Sequence, residues 1–356
     1  MDRVLRLAKL SATDNALESG LHQPIDYKNI FMDSTCIKSN IHFPVDWVLL
    51  RDAARSLLLA IKTIRAKGLK NRMIEPHLLM KQMNRLCIAM THVRRKASSK
   101  KQRKDILRKM KKLSSCIAKH GKRYRQLLNN EWQKTDWTYK QTQQVIGRID
   151  LILGQLPAAI KQAHERIIGE RVVPSNKKIL SLYDKDTTVL VRGKAGSEVE
   201  FGQGLLLTEQ IDGLIIDWQL FSGQPPSDSK LLESAITRIE KHYGHIISAC
   251  ADRGFSSKNN AVILKECKIY DAICPKSPKE LQEKLSDPIF LSLQTRRSQT
   301  EARIGIFKNV FLGKPLRSRI TKNKRLAISW CVLTHNLWIL SRMAIEYERS
   351  LLKKTA

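Results

Sequence analysis

Along four stretches of the chain, apolar residues recur at alternating steps of four and three. The stripes are Leu50, Ala54, Leu57, Ile61 and Ile64; Leu79, Met83, Leu86, Met90 and Val93; Ile106, Met110, Leu113 and Ile117; and Val145, Ile149, Ile152 and Leu156. Such spacing keeps a stripe on one side of a 3.6-residue helix, so each stretch predicts an amphipathic helix. Together they predict a helical bundle or coiled-coil-like hairpin. Asp46 is placed to cap the first helix, Gly68 to close it, and Pro157 and Pro174 to break up the end of the region. The helical unit is therefore expected over 41–175.

From Lys178 the period changes. Short segments rich in β-formers at 179–183, 187–191, 199–208 and 213–221 predict strands, with Asp212-Gly213 as a hairpin turn. After Pro225-Pro226, Ser227 or Asp228 can cap a helix running to Tyr243. Small and apolar residues from Ile246 to Ala251 then predict a buried strand that delivers Asp252 at its end, where Arg253-Gly254 turns the chain. An acid placed there is either a turn cap or part of a metal site. A helix over 260–267, a strand over 272–275 and two closing helices follow. The apolar run 326–340, interrupted by Thr334, His335 and Asn336, reads as a buried helix. Near the start, Ile30-Phe31-Met32 predicts a strand ending on Asp33. Residues 1–25 carry mixed charge and weak periodicity, and only a short helix suggests itself there. Strands and helices in alternation describe an α/β layer arrangement. Gly202 and Gly204 make no phosphate loop, because no Gly-Lys-Ser/Thr follows them.

Length and charge narrow the class. A chain of 356 residues exceeds one ordinary core, so two units, or one core carrying a large insertion, are expected. The formal charge of +31 calls for a polyanionic partner, most simply nucleic acid. A membrane is set aside, because no long apolar span or signal sequence is present. Seven scattered cysteines without a Cys-x-x-Cys pair read as reduced thiols of a cytosolic-type protein. His242, His245 and Cys250 lie close in sequence, but no second ligand pair supports a zinc site. Residues 94–125 hold fifteen Lys or Arg and a single acid, Asp105. Like charges at helical spacing repel, and phosphates would relieve that repulsion. Arg94, Arg95, Lys100, Lys101, Arg103, Lys104, Lys122 and Arg123 are the candidate contacts. Sparse aromatics favour double-stranded DNA over stacking on single strands.

One further stretch carries chemistry. On a helix, Arg297, Glu301 and Lys308 fall within about 40 degrees of one face. Taken with Asp33-Ser34-Thr35 and with Ala251-Asp252-Arg253-Gly254-Phe255, the pattern Arg297-x-x-x-Glu301-x-x-x-x-x-x-Lys308 resembles the transposases of bacterial insertion sequences, of the Asp-Asp-Glu class. The segments 40–46 and 192–202 also look like that family, and the resemblance extends from about residue 28 onward. It departs at Gln294, where relatives have a tyrosine three residues before the arginine. The helical unit also lies between the first and second strands, whereas many relatives insert before the glutamate. Only about thirty residues precede Asp33, so the expectation is either that the N-terminal DNA-recognition domain common in the family is missing or that the chain is a fragment.

The resemblance implies a ribonuclease H-like mixed sheet flanked by helices, with a large basic all-α insertion between the first and second core strands. It divides the chain into 1–40, the first core strand; 41–175, the insertion; and 176–356, the rest of the core and the C-terminal helices. It implies that Asp33, Asp252 and Glu301 are catalytic and bind two Mg²⁺ or Mn²⁺ ions. Arg297 and Lys308 would hold phosphates beside them, with Arg253 as a further DNA contact. The expected activity is cleavage at transposon ends and transfer of the 3′-hydroxyl to target DNA, by a homodimer or larger synaptic assembly in a prokaryotic cytoplasm. Asp184, Asp186, Asp217, Asp46 and Asp52 are alternative acids for the first position, and His42 reads as structural or DNA-contacting. A nuclease that only hydrolyses DNA and an inert DNA-binding protein are the competing readings.

Overall fold

The computed structural model describes residues 25–93, 99–194, 197–313 and 315–355. They form two compact units, one comprising the chain up to Asn40 and from Leu190 onward, the other Ile41–Val189. The chain begins the first unit with β1 (Asn29–Lys38) and then builds the second entirely from helices: α1 (Asp46–Ala66), α2 (Pro76–His92), α3 (Lys100–Glu131) and α4 (Tyr139–Ala163). All four apolar stripes meet in one core, with Leu50, Ile61, Met83, Met110, Ile117 and Ile149 fully buried and Leu86, Val93 and Val145 packed at its margin.

Local details of this unit depart from expectation. Asp46 does not cap α1; the N-cap is Val45, without a side-chain bond. The Asp46 carboxylate is instead buried and accepts bonds from Arg166 at 2.8 and 2.9 Å and from Gln162 at 2.9 Å. Pro157 does not break α4, which runs through it to Ala163. Pro157 lies on the exposed side, while Leu156, Ala159 and Ala163 pack inward, so the helix gives up one bond and keeps its packing. The segment 179–183 is not a strand. Gln162 accepts from the Ile179 amide at 2.7 Å and Gln155 donates to the Leu182 carbonyl at 2.9 Å, so glutamine side chains replace a strand partner. Leu182, Ile179 and Tyr183 pack on the helical core, which carries the unit to Val189 instead of 175.

The other unit is α/β, an open mixed sheet flanked by helices. Its strands run in the order β2 (Thr188–Lys194), β3 (Ser197–Gln210), β1, β5 (Ser248–Ala251) and β6 (Tyr270–Ile273), with β4 (Ile215–Leu220) also paired to β3. β1 is antiparallel to β3 and parallel to β5, and β5 is parallel to β6. Helices α5 (Leu232–Tyr243), α6 (Lys258–Glu266), α7 (Pro278–Leu285), α8 (Pro288–Ile306) and α9 (Thr321–Thr355) complete the unit. The period of two along β1 divides its side chains. Ile30 and Met32 pack with Leu232, Ile236 and Leu264 of α5 and α6. Phe31 packs with Leu293 of α8, and Ile37 with Ile304 of α8 and Val332 of α9. Asp33 and Thr35 share this second face.

The run 326–340 lies in α9 but is not buried all round. Ile328, Val332 and Ile339 point inward, whereas Leu326, Trp330 and Leu337 are exposed. Of the polar residues that interrupt the run, His335 and Asn336 are buried. Asn336 accepts from the Ile215 amide and donates to its carbonyl, both at 2.9 Å, and so acts as a strand partner at the start of β4. No helix among the described residues is long and apolar enough to cross a membrane.

Tyr124, fully buried on α3, ties the helical unit to its first loop. Its hydroxyl donates to the Asn71 carbonyl at 2.8 Å and accepts from the Asn71 amide and from Arg65, both at 3.0 Å. We predict that Tyr124→Phe destabilises this unit by about 1–3 kcal/mol, because it strands buried polar groups. Urea denaturation followed by helical circular dichroism measures it, as a lower midpoint with unchanged slope.

Candidate functional site

Strand register brings the first two predicted acids together. Met32 on β1 lies opposite Ala251 on the parallel strand β5. One residue further on, Asp33 and Asp252 stand side by side, about one strand spacing of roughly 5 Å apart. Both project to the face covered by α8. Asp252 also caps the following turn, accepting from the Gly254 amide at 2.8 Å, so the turn-cap reading of this residue describes one of its two oxygens.

Glu301 lies on α8. Its carboxylate is held by Arg297 at 2.9 Å and is largely exposed. Arg297 is in turn oriented by Gln294, which accepts its Nε–H at 3.1 Å. Gln294 donates to the Ala272 carbonyl at 2.6 Å and to the Ala251 carbonyl at 3.4 Å, bridging β6 and β5 to the arginine. A glutamine in this position is thus a fitting part of the site. Beyond Ile306 the helix continues as one π-turn, Phe307–Phe311, from which Lys308 donates to Thr35 Oγ1 at 3.0 Å. Arg253 is exposed beside Asp252.

The electrostatics follow from this arrangement. Burial, then the charge of Asp252, with Glu301 adding to both, push the Asp33 carboxyl up to about 7; the Ser34 amide and Arg297 work in the opposite direction. Asp33 thus feels both other acids. Among the described residues, however, no three His, Cys, Asp or Glu side chains already converge closely enough to enclose a metal ion. Glu301 is at Coulombic range from Asp33, yet its carboxylate is engaged by Arg297. The donor set still suits a hard divalent cation, being all carboxylate oxygen, with the Asp33 carboxyl raised first by burial and then by the charge of Asp252.

The alternative acids are committed elsewhere. Asp217 pairs with Arg238 at 2.7 Å, Asp46 with Arg166 at 2.8 Å, and Asp52 with His42 at 2.8 Å. Asp184 and Asp186 lie in the irregular segment of the helical unit, outside any strand. Burial works to lower the His42 pKa, but the Asp52 bond overrides it and the net shift is upward.

Two acids near the site have no signature in the sequence. A Cβ built on Gly254 would lie 2.8 Å from Asp228 Oδ2 and 3.0 Å from Asp252 Oδ1, so both carboxylates flank one glycine. Asp228 had only the pattern of a helix cap. Glu209 on β3 is 3% exposed, and its Oε1 accepts from Thr300 at 2.6 Å, Arg296 at 2.9 Å and Arg303 at 3.1 Å. Those donors sit at i, i+4 and i+7 on α8, on the face adjoining Arg297 and Glu301. Arg296 also stacks over Phe31, 4.5 Å from the ring centroid, and Gly213 leaves the space that Arg303 occupies, since a Cβ there would meet the guanidinium carbon at 2.4 Å. The Phe31↔Glu209 pairing between β1 and β3 places the acid beneath the helix, a relation visible only once register is known.

The basic candidates separate into two groups. Lys100 and Lys104 both bind Glu170 at 2.8 Å and hold its carboxyl down to about 2. Arg103 lies over the Trp47 ring at 5.8 Å. Lys101, Lys122 and Arg123 are exposed on α3 with no acidic partner among the described residues. Arg94 and Arg95 lie outside the described residues.

No protein-family model, curated protein or solved structure matches the chain.

Two outcomes follow from the site. The native carboxyl of Asp33 holds its proton up to about pH 7, whereas an unfolded aspartic acid releases it near 3.8. The native state therefore binds more protons between those values, and stability falls as pH rises through that window. Asp33→Asn should remove this loss, leaving a variant that melts at the wild-type temperature near pH 3.5 and above it at pH 8 in metal-free buffer. Glu209→Gln should cost about 3–5 kcal/mol in urea denaturation, because Arg296 and Arg303 then face each other without a counter-charge. Adding Arg303→Met should recover part of that loss.

Proposed function

We propose that the chain is a metal-dependent DNA-cutting and DNA-joining enzyme, a transposase of the Asp-Asp-Glu class whose α/β unit is a ribonuclease H-like core interrupted after β1 by the basic helical unit. The observation that carries this reading is Asp33 beside Asp252 on adjacent parallel strands, with Glu301 near enough on α8 to raise the Asp33 pKa. Three acids from remote parts of the chain, set against a central strand with a parallel neighbour on one side and an antiparallel neighbour on the other, also fit the motif resemblance.

Asp33, Asp252 and Glu301 would hold Mg²⁺ or Mn²⁺ through their carboxylate oxygens. A pair of such ions would supply polarisation of the attacking oxygen and stabilisation of the leaving oxygen. Arg297 and Lys308 bind phosphate oxygens and orient the strand over the carboxylates. Water breaks a P–O bond at the element's end and leaves a 3′-hydroxyl; that hydroxyl then exchanges for an O3′ in target DNA, one P–O bond forming as another breaks.

The test is incubation of the protein with a labelled linear duplex carrying the DNA that flanks its gene, a supercoiled plasmid and Mg²⁺. We expect strand-specific cutting and joining of the label to plasmid, both abolished by Asp252→Asn with duplex binding retained. Efficient cutting without joining identifies a nuclease of the same chemistry. An Asp252→Asn variant indistinguishable from wild type in every assay overturns the catalytic assignment.

A further inference from the structure

We propose that the outward face of α3 is a sequence-independent binding surface for one turn of duplex DNA. It takes from the reading above only that DNA is the polymer. The buried side of α3 carries Ile106, Met110, Leu113, Ile117, Tyr124 and Leu128. At 100 degrees per residue these centre opposite Lys101, Lys112, Lys119 and Lys122, with Arg123 beside them. All five cations are exposed.

Only some of the cations on α3 are paired. Lys104 and Arg108, on the same outward face, are paired, Lys104 sharing Glu170 with Lys100 and Arg108 binding Asp105 at 2.5 Å, and Arg125 binds Asp150 at 3.2 Å. Those acids come from α3, α4 and the segment after it. Among the described residues no acid pairs with Lys101, Lys112, Lys119, Lys122 or Arg123, so these carry like-charge repulsion at spacings of three, four and seven that Asp105 and Glu170, engaged by Arg108 and Lys104, offset only in part. Burial of the opposite face holds the helix in place despite that cost, and a phosphate backbone is the ligand that relieves it.

Length and composition specify the kind of polyanion. From Lys101 to Lys122 the stripe runs roughly 32 Å at 1.5 Å per residue, about one turn of B-form DNA. No aromatic residue lies on this outward face, which removes the stacking platform that single strands use. A membrane surface is disfavoured because the apolar face of α3 is already buried in the helical core and cannot enter a bilayer. Lysines and an arginine on this face suit phosphate contacts, which position a duplex without reading its bases.

The experiment uses the full chain and a fluorescent 20-base-pair duplex of arbitrary sequence, titrated by anisotropy between 50 and 200 mM salt. The triple variant K101Q/K112Q/K119Q should bind at least tenfold more weakly at 100 mM salt, and its salt slope should be shallower by about 2.7, since each lost phosphate contact removes about 0.9. The control K62Q/K140Q/K161Q removes the same charge from exposed positions on α1 and α4 and should change affinity less than threefold. Equal losses in the two triples would mean diffuse attraction to net charge and overturn the assignment. So would no binding by wild type, equal or tighter binding of single-stranded DNA or duplex RNA, or comparable retention on phosphatidylserine vesicles through the same three lysines. A protein that holds duplex through this stripe yet leaves DNA uncut in Mg²⁺ keeps the surface and loses the catalytic reading.

Discussion

Glu209 is the constraint from which the geometry of the α/β unit follows. One buried carboxylate oxygen takes a hydroxyl and two guanidinium donors from a single face of α8. A helix lying on a sheet can slide or roll at modest cost when only apolar contacts hold it, because dispersion and burial are not directional. Three bonds converging on one oxygen are directional. They fix the rotation of α8, and with it the direction taken by Arg297 and Glu301, one residue further along from Arg296 and Thr300. Gln294, anchored to the ends of β5 and β6, and Lys308, anchored to Thr35, hold the same helix near each end. The cluster of Glu209 with Thr300, Arg296 and Arg303 thus positions the candidate site from outside it.

The two units use their surplus of basic residues differently. In the α/β unit, Arg296 and Arg303 are drawn into the interior around one acid, and Lys324, 2% exposed, donates to Gln203 at 2.6 Å. Burial there demands a partner for each cation, because an unpaired charge in low dielectric is strongly disfavoured. In the helical unit the cations remain at the surface, where water makes repulsion tolerable, and acids from neighbouring segments neutralise only part of them. Part of the charge is thus structural in the first unit, whereas in the second most of it stays at the surface.

Much of the architecture is legible from residue spacing. The four stripes that step by four and three all enter the helical core, since a helix of that length cannot hide such a stripe except against another helix. The strands from 199 onward, the Asp212-Gly213 turn and the short strand ahead of Asp252 are likewise found near their expected places. The misplaced elements are those in which tertiary contacts replaced local ones. The segment 179–183 has the composition of a strand but finds its backbone partners in Gln155 and Gln162. Pro157 is tolerated because its side of α4 meets no neighbour. Asp46 has the position of a cap and the environment of a buried ion pair.

Taken by itself, the order of amino acids determined the class of most elements, the excess of positive charge and the identities of Asp33, Asp252 and Glu301 as candidates, because periodicity, net charge and short motifs are local or summed properties. Tertiary structure alone decided that Asp33 lies beside Asp252, that Asp228 flanks the same turn, that Glu209 fixes α8, and which lysines of α3 are already paired. Each of those depends on strand register or on helix rotation, where a shift of one residue moves a side chain to the opposite face or through about 100 degrees. Pairing between residues tens to hundreds of positions apart leaves no mark in the spacing of their neighbours.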